Sequence, residues 1–398
     1  IFAEANVGAD RNHLIMEILK KVATRHGLAL LLHEKPFAGI NGSGKHNNWS
    51  IADSDGNNLL DPGKTPEQNL QFLVFLVATL RAVYLHSDLL RMSIASSGND
   101  HRLGANEAPP AIISVFLGHQ LTQILDNIRK GKQPKAAEDY IINLGISKLP
   151  SILRDNTDRN RTSPFAFTGE KFEFRAIGSS ASVSLANTVL NAAVADSLDA
   201  IANDIKKGLK KSKNFNQVVL NVIKKYVIET EPVRFEGNNY SDEWAKEAEK
   251  RKLPNIKKTG YALDALVSSN NSKMLIRQKV FNKAEIESRY NTKLEQYVTS
   301  LEIESESICD LVNTKIVPAA ISYQGALLEN IKNLRDMGDI ISADSYKSEV
   351  QLLQDVTGNI QDLTDEIKIL SDLIEKAEKI ESLSKKAKFF SDNIVQAL

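Results

Sequence analysis

At 398 residues and 42% hydrophobic content the chain is long enough to bury a large core and to divide into two or three domains. Fifty basic side chains balance fifty acidic ones, so the net charge of zero offers no electrostatic footprint for nucleic acid or for an anionic membrane surface. The lone cysteine, Cys309, excludes an internal disulfide and a cysteine-based zinc site, and it fits a reducing compartment.

Asp10 is placed to cap a helix running to Arg25, with Leu14, Ile15, Ile18, Leu19 and Val22 on one face and Gly27 as its stop. The first residue is Ile1, without an initiator methionine or a signal-peptide pattern, and the chain reads as a piece of a longer protein. The apolar run Leu28 to Leu32 reads as a buried strand delivering the chain into a loop from His33 to Ser50. Nowhere else are glycines, a cation, amides and an imidazole so concentrated. Four residues separate Gly39 from Gly44 and Lys45 follows, a near match to a phosphate-binding P-loop; but His46 stands where that motif needs a Ser or Thr to reach magnesium. A P-loop must also open a helix, whereas Asn47 to Ile51 run on as an alternating, strand-like stretch that turns at Asp55-Gly56. What remains is a glycine-rich loop between two strands, bringing backbone amides, Asn41 and His46 close to a polar ligand. Helix, strand, loop, strand is α/β patterning.

Pro66 to about Ser93 is helical and apolar nearly all round, which predicts an interior helix with Pro66 in its first turn. Gln71 and Arg81 interrupt it, so no apolar run is long enough to cross a bilayer. The Gly and Pro content of Ser96 to Pro110 predicts a polar loop carrying Arg102 and Glu107, and polar loops of this length are often functional. An amphipathic helix from Ile112 to Ile128, a basic loop at Lys130-Gly131-Lys132 and a second helix near Ala136 to Leu144 follow. Charges are then dense from Asp158 to Arg161. Lys171-Phe172-Glu173-Phe174-Arg175 alternates strictly, which in a strand puts a carboxylate flanked by cations on one face and two rings on the other.

Past Ser179 every stretch reads helical: Ser184 to Leu209, Phe215 to Ile228, shorter helices around Trp244 and Tyr261, and Phe281 to Arg335 with a kink at Pro318. Leu353, Val356, Ile360, Leu363, Ile367, Leu370, Ile374 and Ala377 form a heptad-like seam, which Gly358 interrupts; a packed helical hairpin is expected. Histidines are ordinarily hydrogen-bonded core or surface groups, but the glycine-rich loop reverses that for His46. Cys309 is expected to pack, since nothing nearby would lower its pKa. The residues alone point to a polar-ligand loop, a His46 and Glu173 metal pair, and arginines suited to carboxylate or phosphate.

Lys35-Pro36-Phe37 to Asn41-Gly42-Ser43-Gly44, followed by His46 and Ser50, resembles the ATP-region signature of glutamine synthetases, and Lys45 to Ser50 resembles the type III branch. Arg102 to Pro109 is similar to that family's loop with the substrate arginine and the flap glutamate, and Asn160-Arg161 with Glu173-Phe174-Arg175 to its Glu-x-Arg block. These blocks span residues 28 to about 190. The resemblance implies an α+β fold: a catalytic domain with an antiparallel-rich curved sheet and helices, followed by a mostly α-helical C-terminal region. The catalytic part is expected at 1–210, a helical connection at 211–275 and the C-terminal helices at 276–398.

The implied activity is ATP-dependent ligation of ammonia to glutamate through a γ-glutamyl phosphate, assisted by Mg2+ or Mn2+. By resemblance His46 and Glu173 ligate the metal on the ATP phosphates, Asn41 and Gly42 line the glutamate pocket, and Arg102 and Arg175 bind substrate carboxylate or the transferred phosphate. Arg161 contacts the ATP phosphates, Ser50 and Lys171 lie at the nucleotide, and Glu107 closes over the site. Alternatives are a γ-glutamyl ligase using another amine, or a non-catalytic scaffold or sensor. The resemblance also implies a cytoplasmic homo-oligomer of stacked hexameric rings, a dodecamer, with 340–398 supporting assembly and with no nucleic-acid or membrane partner. The family's remaining metal ligands lie upstream of this signature, so the chain alone is expected to be inactive. Arg102 and Glu107 are five residues apart, one fewer than in other branches. Ala166 stands where a further arginine is usual, and Asn48 where many members have histidine.

Overall fold

A computed structural model describes residues 3–105, 108–131, 163–338 and 342–398, together with two short strands at 141–142 and 152–153. By internal contact the chain divides into two units, Ile1–Tyr290 and Asn291–Leu398, the boundary falling within a helix.

In the first unit, α1 (Ala5–Arg25) begins before Asp10, which sits inside it. Its end follows the glycine rule: Gly27 has φ +68, the Gly27 N–H donates to Thr24 and the Leu28 N–H reaches back to the Ala23 carbonyl. The α1 stripe from Leu14 to Val22 is exposed. Leu28 to Leu32 is irregular, with Leu28, Leu31 and Leu32 exposed and Leu30 half-buried, rather than a buried strand; a strand needs a hydrogen-bonding neighbour, and none of the described strands pairs with this segment.

After β1 (Gly44–Trp49) come α2 (Leu70–Leu85) and α3 (Ser87–Ser93), bent by 76° where a single helix was expected. Pro66 lies before α2, and Asn69 is the cap, its side chain accepting the Phe72 N–H at 3.0 Å. The interior character is as expected, because Phe72, Leu73, Leu76, Val77, Leu80 and Val83 are all buried. Among the described residues no single helix is long and apolar enough to cross a membrane.

His86 stands at the bend, 2% exposed. The Asn271 amide donates to Asp88 Oδ2 and the Ala265 carbonyl, so its oxygen receives the His86 Nδ1–H at 2.7 Å. Burial lowers the His86 pKa, with the Asn271 bond opposing. The unfolded chain therefore takes up this proton first as pH falls, and stability drops below about pH 6.5 with a slope of up to about 1.4 kcal/mol per pH unit. Melting temperatures at pH 7.5 and 5.5 test this: His86→Asn should lose less on acidification than the parent.

Next come α4 (Ser97–Arg102), β2 (Val115–Phe116), α5 (His119–Arg129), β3 (Ile141–Ile142), β4 (Ile152–Leu153), β5 (Phe165–Phe167) and β6 (Phe172–Gly178). The segment expected to be all loop contains α4, capped by the Ser96 hydroxyl on the Asn99 N–H. Helix α5 starts later than Ile112, because Gly118 has φ +80 and Val115 pairs with Phe165. The helix expected near Ala136 to Leu144 falls largely outside the described residues; at 141–142 the chain is a strand.

One four-stranded mixed sheet has the order β1-β6-β5-β2, antiparallel except for β5–β2, and β3 pairs with β4. Phe172 and Phe174 of β6 lie 4.9 Å and 5.8 Å from Phe165, and Phe167 reaches Phe72 of α2 at 5.9 Å, between ring centroids. The sheet thus buries its aromatic face toward α2, an α+β arrangement. Helices α6 (Ser184–Leu209) and α7 (Phe215–Glu229) cover α2, both within a residue of expectation. The short helices α8 (Asp242–Lys250), α9 (Thr259–Ala262) and α10 (Ser269–Arg277) lead to α11 (Lys283–Leu311).

In the second unit α11 passes through a π turn, Val312–Ile316, into α12 (Val317–Asp336). This wider turn is where the helix absorbs Pro318, which has no N–H to donate and whose ring crowds the preceding turn. Helix α13 (Lys347–Glu378) runs through Gly358 unbroken and packs on α12 as a hairpin. Every seam residue is half-buried or buried, and Ile367, Leu370 and Ala377 are the buried ones. Helix α14 (Leu383–Phe389), a second π turn and α15 (Val395–Ala397) close the chain, with Phe390 and Ile394 buried.

Candidate functional site

Strand β1 sorts its residues by alternation. Lys45 donates to the Ala181 carbonyl at 2.6 Å, Asn47 to Asn187 at 2.7 Å and Trp49 to Asn191 at 2.8 Å, so the odd positions are fastened to α6 and its approach. Asn187 and Asn191 are four apart and share a helix face. The even positions, His46 and Asn48, are left exposed on the opposite face.

His46 Nδ1 lies 3.8 Å from Glu173 Oε2 on β6, and Arg175 Nε donates to that same oxygen at 2.9 Å. The expected carboxylate-and-cation face is therefore present for Glu173 and Arg175; Lys171 lies just before the strand. Register shifts here: Lys45 pairs with Ile177 but Asn47 with Phe174, so Arg175 and Ala176 together oppose His46. Such a bulge re-aims side chains. Two cis ligands of an octahedral ion with bonds of about 2.1 Å stand about 3 Å apart, so the His46 and Glu173 pair fits two positions of a divalent ion after a small adjustment. An imidazole with a carboxylate suits Mn2+ as well as Mg2+. A carboxylate offers about four lone-pair sites, so the bond to Arg175 does not exhaust Glu173. Among the described residues no group of three or more His, Cys, Asp or Glu gathers.

Arg102, at the end of α4, is 5% exposed. It donates to Asn99 at 3.2 Å, the Ile177 carbonyl at 3.3 Å and the Arg175 carbonyl at 3.1 Å, bracing the bulged stretch of β6. Burial lowers its pKa, with the Glu34 charge opposing. Its guanidinium lies directly over Gly44, where a Cβ would fall 2.0 Å from Nη2. Asn41 is exposed and Gly42 half-buried in the loop before β1, and the Ser43 N–H closes that loop on the Glu34 carbonyl at 2.8 Å. Since Trp49 pairs with Phe172, Ser50 and Lys171 flank the far end of the same strand pair. Glu107 and Arg161 lie outside the described residues. The anchors Lys45, Asn47, Asn187 and Asn191 escape sequence reading, although two asparagines four apart on an alanine-rich helix are a legible sign. Glu34, 3% exposed between half-buried His33 and Lys35, escapes it too.

Comparison with known proteins identifies the family. The profile of the glutamine synthetase catalytic domain matches residues 2–84, and that of the glutamine synthetase C-terminal domain matches 218–335. A glutamine synthetase of Bacteroides fragilis is 43% identical over 96% of the chain and 52% of its own length. The type-3 glutamine synthetase of Dictyostelium discoideum is 43% identical over 98% and 52%, and a glutamine synthetase of Butyrivibrio fibrisolvens 40% identical over 96% and 53%. The chain spans about half the length of these curated relatives. With two glutamine synthetase domain profiles matched and relatives 43% identical over nearly the whole chain, this chain belongs to the glutamine synthetase family.

Proposed function

We propose that the protein ligates ammonia to L-glutamate at the expense of ATP, through a γ-glutamyl phosphate, as part of nitrogen assimilation. The observation that supports this best is the order of groups along the β1–β6 pair. Asn41, Gly42 and Arg102 stand at the end where Gly44 pairs with Gly178, His46, Glu173 and Arg175 stand in the middle, and Ser50 and Lys171 stand at the other end. Six residues of strand span about 20 Å. A glutamate carboxylate held at one end and a nucleotide at the other would meet in the middle, where phosphoryl transfer needs concentrated positive charge and in-line positioning.

In this reading His46 and Glu173 hold a Mg2+ or Mn2+ ion. When bound, the ion neutralises charge on the transferred phosphoryl group. Asn41 and Gly42 line the glutamate pocket. Arg175 and Arg102 offer guanidinium N–H groups to carboxylate or phosphate oxygens. Ser50, Lys171 and Arg161 bind the nucleotide, and Glu107 covers the site and accepts a proton from ammonium. Residues 1–210 form part of the catalytic domain, 211–275 a helical connection and 276–398 a C-terminal helical region. The protein works in the cytoplasm as a homo-oligomer of stacked hexameric rings.

The test is glutamine and phosphate formation by the full-length protein supplied with glutamate, ammonium, ATP and magnesium. Stoichiometric release of both that stops when any one component is omitted is the expected result. Phosphate release without glutamine would overturn it.

A further inference from the structure

We infer that Glu34 is a positioning residue for the glutamate pocket, its buried carboxylate tying the loop that carries Asn41 and Gly42 to the end of β6 and to α4. This rests on the function proposed above. Glu34 sits at the neck of the loop, where its own carbonyl accepts the Ser43 N–H. Its side-chain Oε1 accepts the Ser180 N–H at 3.0 Å and the Ser180 hydroxyl. Three glycines from three separate segments close around it. A Cβ on Gly98 of α4 would fall 2.5 Å from Oε2, one on Gly178 of β6 2.7 Å from Oε1, and one on Gly42 2.6 Å from the Glu34 carbonyl oxygen. The cations Lys45 and Arg102 interact with it through space. A buried carboxylate is sustained only by donors and cations of this kind.

Glu34 therefore meets each of the three segments that bear the proposed substrate groups: the loop with Asn41 and Gly42 through its own backbone carbonyl, and the helix with Arg102 and the end of the strand with Glu173 and Arg175 through its carboxylate. A metal role for it with neighbouring His33 is disfavoured. His33 Nδ1 accepts the Lys35 N–H at 3.0 Å, so the neutral ring carries its proton on Nε2, the nitrogen on the Gly98 side. Glu34 touches no proposed substrate atom; it acts by fixing where Gly42 and Arg102 stand, and misplacement by about 1 Å can cost about a hundredfold in rate.

Steady-state kinetics of the full-length protein test this. Glu34→Ala should raise KM for glutamate by about tenfold or more while KM for ATP stays within about twofold, a split that general loss of folded enzyme does not produce. Glu34→Gln keeps an Oε1 acceptor and should recover glutamate KM to within about threefold of the parent. Gly98→Ala should reproduce the Glu34→Ala defect, and the double variant should be no worse than Glu34→Ala, because the added methyl then occupies vacated space. Unchanged glutamate KM in Glu34→Ala, or additive losses in the double variant, would overturn the inference. If Glu34→Ala does not fold, Gly98→Ala decides by the same KM split. If the parent makes no glutamine, the functional reading fails separately, and amide exchange decides: residues 41–45 and 178–181 should exchange faster in Gly98→Ala, and unchanged exchange would overturn the tie.

Discussion

Replacing His46 by alanine should lower glutamine formation by about a hundredfold or more, while thermal stability stays within about 0.5 kcal/mol of the parent. The two halves of that result have different causes. His46 is 38% exposed, on the face of β1 turned away from α6, so its removal opens no core cavity. Glu173 keeps its bond from Arg175, so no buried charge is orphaned. What is lost is one of two proposed ligands for the cation that neutralises phosphoryl charge, an effect of several kcal/mol, with each tenfold in rate worth about 1.4 kcal/mol. Titrating magnesium should show a raised half-saturation concentration as well as lowered kcat. An unaltered rate would sink the metal assignment.

Gly44→Ala should destabilise the protein by about 2–4 kcal/mol and abolish most activity, the largest effect expected of a single added methyl among the described glycines. The reason is crowding on a group that has nowhere to go. The new carbon would lie 2.0 Å from Arg102 Nη2 and 2.3 Å from its Cζ, and the guanidinium is buried and committed to the carbonyls of Arg175 and Ile177. Moving it strips those carbonyls of their donors inside the bulge that aims Glu173. Denaturant melts should show a lower midpoint with unchanged slope. Arg102→Lys combined with Gly44→Ala relieves the clash but not the lost fork of donors, and should recover stability better than activity.

Much of this was legible in the sequence because it depended on periodicity. The α13 seam, the extents of α6 and α7, and the segregation of Phe172 and Phe174 from Glu173 and Arg175 all follow from side-chain spacing along a regular element. The proposed metal pair was offered by residue type and by the family resemblance, whereas the pairing of β1 with β6 that sets His46 3.8 Å from Glu173 was not. What the sequence concealed was set by contacts between distant segments. The bend at His86 is stabilised by Asn271, 185 positions away. The bulge opposite His46 is a matter of register, which residue types alone do not encode. Gly98 looked like a helix breaker, yet it sits within α4, where Glu34 tolerates nothing larger. The run Leu28 to Leu32 had the composition of a strand but no described strand pairs with it.

The seam of α13 has one more consequence, for motion. Toward the start of the helix Leu353, Val356, Ile360 and Leu363 are only half-buried, and α12 buries none of its residues, whereas Ile367, Leu370 and Ala377 near the other end are fully enclosed. Local opening costs least where least apolar surface is covered. The hairpin should therefore breathe like a zip fastened at its base, its loop-end turns fluctuating while the turns around Ile367 to Ala377 stay shut until the whole unit unfolds.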